Sequence, residues 1–367
     1  MASFDELEIH RPELAQSYLK LLAAQPGRPI ALFAPRRVGK TFFLAHDLGP
    51  AAQRAKLLPV YADLWLHRRQ PLEAINHALE EALDDVKVPT RSLGKLAKTP
   101  VKRIGALGAS IELGDEPRRR DLPAQPALRL DVLVARLSKA SGRNVLLLLD
   151  EIQTLGEAAD GQSVISTLRA VLQKHRKEVA AVFTGSSQSA LAVMMVSAGG
   201  PMYQFAQLMD FPVLGEEYLL LLAQHFGRVH RSKRLSMEEL ARAFAHIGYK
   251  PALMKDLIKL MSAEGTTNVR EALGKFMRDD RQIAGWQAIV DQLGILERTV
   301  LLALARGNAP LASDTLKSIG RMVPGGVTLS KVRVALDRLK RAGIVAKSAG
   351  RFVVEDRLFA DYLLSRQ

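Results

Sequence analysis

The stretch ALFAPRRVGKTFFL (Ala31–Leu44) constrains the fold of this chain more than any other segment. RPIALF (Arg28–Phe33) is a short apolar run of strand character, and TFFLAHDL beyond the loop has helical character. A strand that enters a loop closed by Gly-Lys-Thr and then a helix is the setting in which such a loop cradles a phosphate. The backbone N–H groups from Arg36 through Arg37, Val38, Gly39 and Lys40 to Thr41 would wrap the β-phosphate, aided by the positive end of the following helix. Lys40 would reach the β- and γ-phosphates, and the Thr41 hydroxyl would sit on Mg2+. Ala34 stands where the first glycine of G-x-x-x-x-G-K-[ST] is expected, which is tolerable if Ala34 keeps a negative φ. Pro35 stiffens the loop, and Phe42 completes the candidate nucleotide-binding set.

Gly-Lys-Thr alone is a weak signal, and its weight comes from the strands downstream. NVLLLLDEIQ (Asn144–Gln153) is a buried strand ending in two acids. Asp150 there can hold Mg2+ through water, and Glu151 can polarise an attacking water. VAAVFTGSSQS is a further buried strand, ending with Thr184 and Ser186 as candidates to sense the γ-phosphate. LLPVYADLW (Leu57–Trp65) is another strand; Asp63 at its end either touches the metal's water shell or caps the helix that follows. LMDFPVL is expected as the last strand. Residues 4–25 read as an amphipathic helix, PLEAINHALEEAL as a helix opened by proline, and SALAVMMVSAGG as a buried helix. Nearly continuous apolar strands alternating with helices predict an α/β fold with a parallel sheet covered on both faces.

Composition narrows the class. The 367 residues contain no cysteine, which excludes disulfides and cysteine-bound zinc and fits a reducing, cytoplasmic setting. The eight histidines show no metal-binding spacing. No apolar run reaches the ~18–20 residues of a membrane helix, so no membrane partner is expected. The formal charge of +14 points to an anionic partner, most simply nucleic acid. It concentrates in two places, residues 86–120 with nine Lys/Arg against three Asp/Glu, and residues 291–367 with thirteen against seven. The first lies in a Gly-, Pro- and Arg-rich region (Val88–Pro126), in which IGALGASIEL suggests a strand or hairpin.

After Gly215 the pattern is helical to about Leu293. The tail then gives three short helices and GIVAKSAGRFVV, a hairpin with Gly350 near its turn. In TLSKVRVALDRLKRAGIV (Thr328–Val345), Ser330 is the expected N-cap, and Val332, Leu336 and Leu339 form an apolar stripe with Ala335 beside it. Lys331 and Arg333 are placed to reach base edges or phosphates, Arg338 and Lys340 the backbone of double-stranded DNA, and Lys347 and Arg351 lie in the wing of a winged helix. Asp337 interrupts this basic face.

PRRVGKT, LLLLDEIQ, VFTGSSQS and GYKPAL (Gly248–Leu253) together resemble the STAND and archaeal-type ATPases related to the AAA+ group. HRPEL (His10–Leu14) loosely resembles that family's N-terminal Gly-Arg-Glu segment, with His10 in place of the glycine. The resemblance implies a P-loop ATPase core over residues 1–214 with a basic insertion at 86–126, a helical lid over 215–293, and a winged-helix domain over 294–367. It implies ATP with Mg2+, the roles above for Lys40, Thr41, Asp150 and Glu151, and Pro251 at the lid turn over the nucleotide. Relatives place an arginine after the sensor strand. Here Gln204 and Phe205 hold the matching positions, and no Arg or Lys lies between Thr184 and Arg228. An arginine in trans is worth ~10³–10⁵ in rate, so slow hydrolysis is expected unless Arg169, Arg176 or a partner substitutes. The expected function is a nucleotide-controlled switch, self-associating with ATP and acting on DNA or a protein partner. The alternatives are a regulatory or defence-type module whose winged helix is a protein-binding latch, and an initiator- or transposition-type DNA ATPase.

Overall fold

The computed structural model describes residues 7–35, 37–67, 69–87, 122–156, 161–185, 195, 202–231, 233–278, 280–348 and 350–365. They fall into two compact units. One comprises His10–Ala34 and Gly39–Phe211, and the other Pro212 onward, with short stretches before His10 and between Ala34 and Gly39.

The first unit is built on five parallel strands in the order β2–β3–β4–β1–β5. These are β1 (Ile30–Phe33), β2 (Leu58–Asp63), β3 (Val145–Asp150), β4 (Val179–Gly185) and β5 (Gln207–Asp210). All six residues of β3 and all four of β1 are buried, as strands in the middle of a sheet covered on both faces require. The helices are α1 (Pro12–Ala24), α2 after the loop, α3 (Pro71–Lys87), α4 (Pro126–Ser141) and α5 (Gly161–Lys174). Helix α2 is composite, with Lys40–Phe42, a π-helical segment Phe43–Leu48, and Gly49–Arg54. Leu133, Leu137, Ile75, Leu79, Leu168 and Leu172 close over the sheet in one apolar core.

Parallel register puts every strand's C-terminal end on one edge, where ligands of open α/β sheets bind. Asp63 pairs in register with Asp150 there, and Leu32 pairs with Thr184. The entry helix begins at Pro12, later than residue 4: proline is suited to the first helical position, and residues 7–11 lie outside the helix. The stretches IGALGASIEL and most of SALAVMMVSAGG lie outside the described residues.

The second unit holds α6 (Glu216–Val229), α7 (Met237–His246), α8 (Pro251–Glu264), α9 (Val269–Phe276), α10 (Asp280–Asp291), α11 (Ile295–Ala305), α12 (Ser313–Met322) and α13 (Leu329–Arg341). The antiparallel pair β6 (Val345–Ser348) and β7 (Arg351–Val354) comes next, and a last helix α14 (Arg357–Ser365) ends the unit. Residues from Tyr218 to Tyr362 share one apolar cluster. Trp286 of α10 meets Tyr362 of α14 at 5.3 Å between ring centres, and Lys250, buried at the start of α8, pairs with Asp356 at 3.0 Å.

Candidate functional site

The loop after β1 has the backbone its sequence demands. Gly39 has φ +96°, a value L side chains rarely adopt, and an added Cβ would meet nothing within 4 Å, so conformation rather than space calls for glycine here. Arg37 also lies in the left-handed region at φ +67°, whereas Ala34 does not. The condition under which Ala34 can replace glycine is therefore met. Arg36 and Ser186 lie outside the described residues. Lys40 is buried, and its ammonium donates to the Ala34 carbonyl at 2.8 Å. The Lys40 ammonium is thus drawn back to the start of the loop.

Asp150 is 2% exposed and accepts four hydrogen bonds. Thr41 Oγ1 donates to Oδ2 at 2.6 Å and the Tyr61 hydroxyl donates to the same oxygen at 3.2 Å. The Glu151 N–H donates to Oδ1 at 3.0 Å, joined there by the hydroxyl of fully buried Thr184. The acid that ends β3, the hydroxyl after the loop and the polar residue of β4, distant in sequence, thus meet at one point. Thr184 directs its hydroxyl to Asp150. Glu151 takes φ +57°, a conformation costly for a non-glycine residue and concentrated at functional sites. Its carboxylate is held by the Gln153 side-chain amide.

Asp63 shares this edge. Burial first, then the Asp150 and Glu151 charges, raise its pKa above the ordinary carboxylate value, against a lowering by the Trp65 N–H that it accepts at 2.9 Å. It therefore caps the turn after β2. Tyr61 was not singled out by the sequence. Burial, followed by the nearby carboxylates, pushes its phenol far above the usual range, so it stays a proton donor.

Phe42 stacks on His46 at 4.5 Å between ring centres, and the His10 ring lies tilted against it at 5.5 Å. The π-helical turn places Asp47 inside, where its Oδ1 meets His10 Nδ1 at 2.8 Å. Of the arginine candidates, Arg169 lies over the Phe205 ring at 5.4 Å, and Arg176 sits beneath Gly27, where an added Cβ would come within 2.7 Å of its own Cβ.

In the second unit, Pro251 opens α8 shortly after two residues in the left-handed region, Gly248 and Tyr249. Helix α13 is capped by Thr328, whose hydroxyl accepts the Lys331 N–H at 3.3 Å, and not by Ser330. The helix begins one residue before Ser330, which leaves that hydroxyl inside the first turn. Val332, Ala335, Leu336 and Leu339 are buried, so at 100° per residue the outward crest is Ser330, Val334, Asp337 and Arg341. Lys331 and Arg338 lie on one flank of that crest, Arg333 and Lys340 on the other. Arg338 is held by Glu297 at 3.1 Å, and Lys347 lies 5.8 Å over the Phe352 ring. Arg351 is exposed at the start of β7.

The parallel sheet and the loop after β1 together have the fold of a P-loop NTPase core. No known family profile matches the chain, and no curated protein matches it. Among solved structures, the fold is similar to that of a Walker-type ATPase of Pyrococcus abyssi, at 17% identity and TM-score 0.61 over 97% of this chain and 96% of the other. It is also similar to the ORC2 protein of Aeropyrum pernix solved in ADPNP–ADP complexes, at 16% identity and TM-score 0.55 over 99% and 95%. The ADP form of that ORC2 protein gives a TM-score of 0.51 at 16% identity over 99% and 95%. Among the described residues, no helix is long and apolar enough to cross a membrane.

Proposed function

We propose that this chain is an ATPase that binds ATP with Mg2+ at the loop after β1 and turns it over slowly as a switch. The observation that carries this reading is the meeting of Thr41 and Asp150 at 2.6 Å beside a loop whose lysine is folded over its own carbonyl. A hydroxyl and a carboxylate side by side are the hard oxygen groups that a small hard cation takes. Thr41 would hold Mg2+ directly and Asp150 would hold it through water; the ion would neutralise charge on the phosphates. Lys40 would leave the Ala34 carbonyl for the β- and γ-phosphates. Glu151, kept in place by Gln153, would orient the attacking water. The Aeropyrum neighbour was solved with ADPNP and ADP, which supports the choice of nucleotide. The sequence carries no Arg or Lys between Thr184 and Arg228, which supports slow turnover.

We further read residues 295–365 as a winged helix that binds double-stranded DNA. Flanks of like charge along a helix crest suit two phosphate strands bordering a groove, with the crest facing base edges. ATP is proposed to close the lid, with Pro251 at its turn, and to favour self-association. Purified protein titrated with duplex DNA across ionic strengths, with and without ATP, tests this. Binding insensitive to salt would rule it out, because phosphate contacts release counterions. A specific observation favours the latch alternative as well: Lys250–Asp356 and Trp286–Tyr362 tie the last helix into the core of the preceding helices. ADP that co-purifies without turnover, and no DNA binding, would select that reading.

A further inference from the structure

A carboxylate offers about four lone-pair positions, and Asp150 has a donor on each. Oδ1 serves the Glu151 N–H and the Thr184 hydroxyl, and Oδ2 serves the Thr41 and Tyr61 hydroxyls. Magnesium reaches an acid either directly or through a water that must itself donate to it, so a saturated Asp150 has to release one partner first.

The four partners differ in how readily they can leave. The Glu151 N–H is fixed by a backbone held at φ +57°. Thr184 lies wholly buried in β4, its hydroxyl committed to Asp150. Thr41 presents a lone pair to the ion while its proton still points at Oδ2, so it need not leave. Tyr61 has the longest bond of those on Oδ2, at 3.2 Å, and a half-buried ring anchored on β2, the strand beside β3.

We propose that Tyr61 is a metal-responsive plug: its hydroxyl fills the last acceptor position of Asp150 when no divalent ion is present and is displaced when Mg2+ arrives. Tyr61 thereby sets the Mg2+ concentration at which the site loads, acting as a positioning residue that never touches nucleotide. This inference rests on the nucleotide reading proposed for the site.

The test is calorimetric titration of ATP into the full chain over a series of Mg2+ concentrations, with Tyr61→Phe beside wild type. Removing a hydrogen bond to a charged acceptor, the stronger kind, should lower the half-saturating Mg2+ by roughly three- to tenfold and leave ATP binding in EDTA unchanged. A half-saturating Mg2+ that is unchanged or raised in Tyr61→Phe overturns the proposal. A second readout needs no functional variant. In protein labelled with 3-fluorotyrosine, the Tyr61 resonance, identified by its loss in Tyr61→Phe, should shift with ATP and Mg2+ but not with ATP and EDTA. A resonance indifferent to Mg2+ overturns the proposal too. If wild type binds no nucleotide at any Mg2+ concentration, the nucleotide reading falls and takes this one with it. Wild-type loading with Mg2+ but an unaltered response in Tyr61→Phe removes the plug alone.

Discussion

Replacing Asp150 separates its structural work from its chemical work. Each of its four hydrogen bonds is charge-assisted and worth about 1.5–3 kcal/mol, against about 0.5–1.5 for a neutral bond. Asp150→Asn keeps the shape. Its carbonyl oxygen can serve the Glu151 N–H and Thr184, and its amide faces the Thr41 and Tyr61 hydroxyls, which can turn to accept. Four bonds each weakened by about 1 kcal/mol, partly offset because a charge is no longer buried, leave a net loss of about 2 kcal/mol. Asp150→Ala strands the buried Thr184 hydroxyl and the Glu151 N–H at about 1–3 kcal/mol each and leaves a void, so its loss should be about 3–5 kcal/mol. Urea denaturation of the two variants measures the gap. ATP calorimetry with and without Mg2+ should show that the Asp150→Asn protein binds nucleotide but gains nothing from the ion. Equal stability of the two variants would refute the reasoning about donors, and a full Mg2+ response in Asp150→Asn would refute the placement of the metal.

Three further outcomes rest on individual residues. Gly39→Ala should fold with a loss of about 1–2 kcal/mol for the left-handed backbone, since its Cβ meets nothing, yet lose ATP binding in calorimetry because the loop would shift to relieve φ +96°. The raised pKa of Asp63 means that the folded chain holds this proton more tightly than the unfolded chain, so stability falls as pH rises from the ordinary aspartate pKa through the raised one. Asp63→Asn should therefore raise the melting temperature near pH 7 and change it little near pH 3, as differential scanning calorimetry can record. On α13, changing Lys331, Arg333 and Lys340 together to Gln should cut DNA affinity and reduce the salt slope by roughly 2–3, at about 0.9 for each phosphate contact. Arg338→Gln alone should change the slope by less, because Glu297 already holds that side chain.

The parts of the fold that were legible in the sequence are those with a local cause. The continuous apolar run Val145–Leu149 reads as an interior strand, and Gly-Lys-Thr after the shorter apolar run Arg28–Phe33 reads as the opening of a helix from a tight loop. What was not legible depends on register between strands. Tyr61 looks like an ordinary strand residue until the pairing of β2 with β3 carries it to Asp150. Thr184 suggested a phosphate contact from its place at the end of β4, and its bond to Asp150 arises only because β4 lies beside β3. The π-helical turn that buries Asp47 against His10 has no signature in TFFLAHDL. The cap of α13 falls two residues before the expected one because Thr328 and Ser330 are both good caps, and only the apolar phase of Val332, Leu336 and Leu339 against the core selects between them.

Calorimetric titration of ATP·Mg2+ into wild type and Lys40→Ala, each shown to be folded by its denaturation curve, tests the core of this account most directly. A saturable heat in wild type that vanishes in Lys40→Ala is the predicted result; the same heat from both proteins would contradict it.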